Sequence, residues 1–94
     1  MRERGIEEYL RDEVKEIKGR AYKFVSPGNN GVPDRLVLLP GGRAYFIELK
    51  APGKKSSPLQ LAQQKKITSL GFRVLEIDSL EKVDAFIAEV GNAE

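Results

Sequence analysis

Apolar positions at Ile6, Leu10, Val14 and Ile17, with Tyr9 at the side, recur at helical spacing and predict an amphipathic helix over 3–18. Gly19 reads as its stop. Ala21 to Val25 then reads as a short strand, ended by the turn-rich segment Ser26-Pro27-Gly28-Asn29-Asn30-Gly31. The runs Arg35–Leu39 and Arg43–Lys50 read as two more strands, with Pro40-Gly41-Gly42 supplying the turn. A flexible basic loop, 51–58, leads into a helix whose start is marked by Ser57 at the cap, Pro58 at the first helical position and Gln60 placed to complete a capping box. That helix runs through Leu59, Leu61, Ala62, Ile67 and Leu70 and stops at Gly71. Phe72–Ile77 is a fourth strand, and Asp78-Ser79 caps a last helix with Leu80, Val83, Phe86, Ile87 and Val90 on one face. The order is α-β-β-β-α-β-α. A helix between the third and fourth strands predicts a right-handed parallel crossover, hence an α/β fold with a mixed sheet flanked by helices, in one domain over 1–94 with loose last residues.

The hairpin carries the candidate chemistry. If its loop is Pro40-Gly41-Gly42, Leu39 faces Arg43, and counting back sets Asp34 opposite Glu48. Directly opposed Cβ atoms lie roughly 4.5–5.5 Å apart, where like charges destabilise a sheet unless a cation separates them. A hard divalent ion takes oxygen ligands and often only one or two carboxylates from a protein. Lys50 lies two residues beyond Glu48, on the same face of the strand. An ion that activates water and steadies charge at phosphorus, beside a lysine that orients or deprotonates that water, is the apparatus for cutting a phosphodiester. Asp34 alone could cap a turn after Pro33, and Glu48 and Lys50 alone could be ordinary strand-end charges. Their combination at hairpin spacing singles them out.

Composition narrows the alternatives. Among 94 residues there is no cysteine and no histidine, which excludes a disulfide framework, a thiolate zinc site, a cysteine nucleophile and the commonest general base. No apolar window is long enough to cross a bilayer, and no signal-peptide core follows Met1-Arg2-Glu3-Arg4, so a soluble, cytoplasmic protein is expected. Residues 1–77 hold 15 Lys and Arg against nine acids, whereas residues 78–94 hold one Lys against five. The basic part contains the hairpin and favours a polyanionic ligand.

Other residues are candidates by position. Glu3 lies near the middle of the apolar stripe of the first helix and Glu7 on its flank, so each either rims the core or supplies a third acidic ligand. The loop with Asn29 and Asn30 would let the backbone approach a phosphate. Lys54 and Lys55 are placed to meet a sugar-phosphate backbone just beyond the hairpin. Gln60 is explained by capping, and its rival role is to bind phosphate or position water.

Glu7 in the leading helix, Lys23-Phe24-Val25-Ser26-Pro27-Gly28, Gly31-Val32-Pro33-Asp34-Arg35, Phe46-Ile47-Glu48-Leu49-Lys50-Ala51-Pro52-Gly53 and Gln60 closely resemble the VRR-NUC family of virus-type replication-repair nucleases, within the PD-(D/E)xK superfamily. The likeness spans nearly the whole chain, in the stand-alone form carried by phages and bacteria. It implies a restriction-endonuclease-like core and a Mg²⁺- or Mn²⁺-dependent endonuclease acting on structured DNA in a bacterial or phage-infected cell. It also implies Asp34, Glu48 and the Leu49 carbonyl as metal ligands, with Glu7 as a further acid near the metal. Lys50 would be the catalytic lysine and Gln60 a supporting polar residue; the resemblance favours Glu7 over Glu3 and Gln60 over Gln63. Asn29, Asn30, Arg35, Lys54 and Lys55 would contact DNA. Stand-alone members are similar to Holliday-junction resolvases, which implies a homodimer cutting a four-way or branched junction. The competing function is a DNA-binding subunit or adaptor that keeps the fold without cutting.

Overall fold

The computed structural model describes residues 2–91, so the expectation of loose last residues falls largely outside what is described. The elements are α1 (Glu3–Glu16), β1 (Arg20–Lys23), β2 (Arg35–Leu39), β3 (Arg43–Leu49), α2 (Pro58–Ser69), β4 (Arg73–Ile77) and α3 (Leu80–Gly91), in the expected order. The sheet order is β1-β2-β3-β4. β1, β2 and β3 pair antiparallel, and the α2 crossover makes β3 and β4 parallel. Among the described residues, no helix is long and apolar enough to cross a membrane.

Strand alternation divides the sheet into two unlike faces. On one, Val37, Leu39, Ile47, Leu49 and Ile77 bury against Ile6, Leu10 and Val14 of α1 and Val83, Phe86 and Val90 of α3. Tyr45 meets Phe86 edge to face at 5.5 Å, and the Tyr9 hydroxyl donates to Asp84 across 2.5 Å, tying α1 to α3. The other face forms rows across the strands. Arg20, Leu38, Ala44 and Phe72 make one, and Tyr22, Leu36, Phe46 and Val74 the next; Phe46 makes edge-to-face contacts with both Phe24 and Phe72. α2 packs against β4 but buries none of its own residues, and Leu38 and Phe72 remain 41% and 43% exposed. This face is therefore mainly apolar, with Arg20 at its β1 edge, and largely open.

Two boundaries differ from the expected ones by two residues, and others by one. β1 ends at Lys23, with one further bond from Phe24 N–H to the Asp34 carbonyl, because the next partner is Pro33, which has no N–H to donate. α1 ends at Glu16, and the residue that turns left-handed is Lys18 at φ 70°, not Gly19. Lys18 N–H bonds to the Lys15 carbonyl and Gly19 N–H to that of Val14, the paired bonds of a Schellman end. Gly19 is needed for closeness: a Cβ there would lie 2.5 Å from Leu39 Cδ2 and 2.7 Å from the Leu38 carbonyl.

Candidate active site

The hairpin register is the expected one, with Leu39 across from Arg43 and Arg35 across from Ile47. One step further sets Asp34 across from Glu48, and the parallel register sets Glu76 beside Glu48 on β4. The third row of the open face is therefore acidic, and it sits where the start of α2 covers the sheet.

Asp34 follows the buried Pro33, and its Oδ2 accepts from Leu49 N–H at 2.8 Å, which fixes it across the end of β3. The loop before it is held close: a Cβ at Gly31, whose φ is 89°, would lie 3.0 Å from Leu59 Cγ and from the Leu59 carbonyl. Glu48 is only 1% exposed. Its Oε2 lies 3.3 Å from Lys50 Nζ and accepts from Gln60 Nε2 at 2.9 Å, and Lys50 Nζ donates to Gln60 Oε1 at 2.6 Å. Glu48, Lys50 and Gln60 thus close a triangle. Gln60 is held in turn by the capping box, with Ser57 N–H donating to its Oε1 at 2.9 Å and its own N–H donating to Ser57 Oγ at 3.2 Å. It is Gln60, not Gln63, that reaches the carboxylate.

Glu48 Oε1 is buried without a hydrogen-bond partner among the described residues. Burial first, and then the negative charge of Asp34, pushes the Glu48 carboxyl up to about 7, and Lys50 offsets only part of this. Glu3 at the start of α1 belongs to the same electrostatic neighbourhood. Its carboxyl is raised by burial and by Asp34, and lowered by Lys50.

Glu7 is placed differently. Its Oε2 takes Arg35 Nε at 3.1 Å and Nη2 at 3.0 Å, and Arg35 Nη1 donates to the Ala21 carbonyl at 3.2 Å. The Arg35 side chain is 11% exposed, so it pins α1 to β1 and β2 beside Asp34 instead of standing at the surface. Asn29 is exposed and turned back onto Ser26, its Nδ2 donating to Ser26 Oγ at 2.9 Å; Asn30 is exposed. Lys54 and Lys55 are exposed on a loop anchored by Gly53 N–H to Asp78.

The sequence reading passed over Glu76, which only the β3–β4 register brings beside Glu48; its Oε2 accepts from Ser56 Oγ and Gln64 Nε2. Among the described residues, no three acidic side chains close into a metal-holding group.

A solved structure described as a VRR_NUC domain superposes with a TM-score of 0.86, covering 96% of this chain and 99% of that one at 28% identity. The curated protein "Putative nuclease p44" of Acyrthosiphon pisum secondary endosymbiont phage 1 is 53% identical over 79 residues, 84% of this chain and 85% of its own length. The chain belongs to the VRR-NUC family. No family profile matches it. In this VRR-NUC chain Asp34, Glu48, Lys50 and Gln60 form a cluster, Glu3 stands at its rim, and Glu7 is tied to Arg35.

Proposed function

We propose that this protein is a Mg²⁺- or Mn²⁺-dependent DNA endonuclease that works as a homodimer on four-way or otherwise branched DNA. The observation that carries the reading is Glu48, a carboxylate buried to 1% exposure with one oxygen unpartnered, facing Asp34 and bonded to Lys50 and Gln60. A buried oxygen left without a partner costs free energy unless something satisfies it, and a hard cation would do so. Two carboxylates suffice, because Mg²⁺ keeps most of its shell as water and substrate phosphate. Asp34 and Glu48 would hold the ion, with the Leu49 carbonyl and a helix-borne acid, Glu7 or Glu3, completing the set.

When bound, such an ion supplies an acidified water and electrostatic relief at phosphorus. The protein's part is positional. Lys50 Nζ, fixed between Glu48 and Gln60, presents a positive charge that orients the attacking water and faces the scissile phosphate. Gln60 fixes the Glu48 carboxylate, and the buried face of α1 and α3 keeps the sheet rigid beneath them.

The homodimer is supported by the open row Leu38, Ala44 and Phe72, an apolar sheet face that continues into the acidic row. Lys54 and Lys55, beside the cluster, are suited to the DNA backbone.

The test is a labelled four-way junction, a flap and a linear duplex, each incubated with Mg²⁺, with Mn²⁺ and with EDTA. Cutting of branched DNA with either ion and none in EDTA is expected, and Asp34→Ala and Lys50→Ala should bind without cutting. Binding under every condition with cutting under none would instead establish the adaptor.

A further inference from the structure

We propose that the groove between the last turns of α1 and the β1 edge binds the phosphate backbone of the nucleic-acid substrate, as a second contact apart from the Lys54–Lys55 loop; this rests on the nuclease reading above. The groove has a volume of ≈ 390 Å³, and Arg11, Lys15 and Arg20 line it. Arg11 and Lys15 are four residues apart on α1 and share a face of the helix. Arg20 opens β1. The tight Gly19 connection, where a Cβ would lie 3.0 Å from Val14 and 2.5 Å from Leu39, brings the two elements together, with Arg11 and Lys15 on the helix side of the groove and Arg20, across from Leu38, at its β1 rim.

Arg4, Arg35, Lys50, Arg73 and Lys82 each lie within ion-pair distance of an acid. Among the described residues, Arg11, Lys15 and Arg20 have no such partner, and all three are exposed. Among the described residues, Asp12 is the one carboxylate lining the groove. Like charges gathered around one depression repel one another, and a polyanion relieves that repulsion while releasing its own counterions.

The position suits a long substrate. Arg20 is four residues from Phe24, whose N–H bonds to the Asp34 carbonyl at 2.8 Å, so the groove starts about 13 Å along β1 from the acidic row at about 3.3 Å per residue. That span is about four nucleotide steps along a duplex axis. Lys23, exposed and at the same edge, lies between. Lys54 and Lys55 line a depression with Glu76 and Asp78 on the β4 side of the sheet, so cations flank the acidic row on both sides. A DNA arm lying over the row would leave along β1.

The probe is a fluorescein-labelled four-way junction, its binding to the full chain followed by anisotropy in EDTA from 50 to 300 mM salt. Each phosphate neutralised adds about 0.9 to the slope of log affinity against log salt. The triple variant Arg11→Gln, Lys15→Gln, Arg20→Gln should lose about two to three units of slope and bind at least about tenfold more weakly at 100 mM salt. Asp12→Asn should bind several-fold more tightly, and decides the matter if the triple variant does not fold. A folded triple variant with wild-type affinity and slope, or an Asp12→Asn variant with unchanged affinity, overturns the proposal while wild-type binding and cutting leave the nuclease reading standing. Unchanged DNA binding with lost affinity for a poly-glutamate peptide would overturn it in favour of an acidic protein partner. A wild-type protein that binds no DNA at all would remove the nuclease reading with it.

Discussion

Gln60 Nε2 donates to Glu48 Oε2 across 2.9 Å, so the side chain that closes the capping box of α2 also holds the buried carboxylate. The two tasks can be separated. Ser57→Ala removes the cap and should cost about 1 kcal/mol of stability with cleavage changed no more than a few-fold. Gln60→Ala removes the cap partner and also frees Lys50 and Glu48, so it should lower cleavage about 10- to 100-fold for a similar loss in melting temperature. Thermal melts and single-turnover cleavage of the two variants check the difference; equal cleavage by both would make Gln60 a cap and nothing more.

The Glu48 carboxyl, pushed up to about 7 from an ordinary 4.5, makes stability fall with pH. Between those values the folded state holds a proton that the unfolded chain has released. Its contribution is therefore fully present below pH 4.5 and lost as pH rises through 7. The loss is on the order of 3 kcal/mol, since each unit is about 1.4 kcal/mol. Melting of the metal-free protein should drop from pH 5 to pH 8, and Glu48→Gln should flatten that drop. Mg²⁺ added at pH 8 should raise the wild-type melting temperature and leave that of Glu48→Gln unmoved.

Much of this site was legible because hairpin register follows from turn length, and turn length from Pro40-Gly41-Gly42. Gln60 was equally legible, since a capping box is a local pattern. Glu76 was not, because its place depends on the offset of a parallel strand reached through a whole helix. The attachment of Glu7 to Arg35 escaped for a related reason: helix spacing puts an acid on a flank but does not say which strand residue meets it.

The end of α1 shows the same limit, and a prediction comes from it. Glycine after an apolar stripe reads as a left-handed helix stop, yet Lys18 takes that conformation and Gly19 admits Leu39. Lys18→Gly should therefore raise stability by about 0.5–1 kcal/mol, by removing the left-handed strain of a residue with a Cβ. Gly19→Ala should cost about 1–3 kcal/mol through overpacking against Leu39 and the Leu38 carbonyl. Denaturant melts of both variants test the pair of opposite signs.

The Glu7–Arg35 pair should behave as a structural fastener. Arg35→Ala leaves Glu7 and the Ala21 carbonyl without their donor in a part-buried place, and should cost about 1–3 kcal/mol. Glu7→Ala should cost a similar amount, and the double variant less than the two losses added together. A double-mutant cycle showing simple additivity would deny the pair that role.

The open sheet face gives the last prediction. In a two-fold dimer each interface residue occurs twice, so one new charge in the Leu38, Ala44, Phe72 row is buried in two copies. Leu38 is the residue to change: it is 41% exposed, so a lysine there can reach solvent in the monomer and should leave its fold intact. In a closed dimer the two ammonium groups would lose water without an acid to pair with, because the residue across from position 38 on β1 is Arg20 and the next row is apolar. Leu38→Lys should raise the dimer dissociation constant at least about tenfold, a shift visible by light scattering at micromolar protein. Cleavage per subunit on a short flap should persist while paired cutting of a four-way junction falls, since only the latter needs two sites at once. A Leu38→Lys protein as dimeric as the wild type would take this face out of the interface.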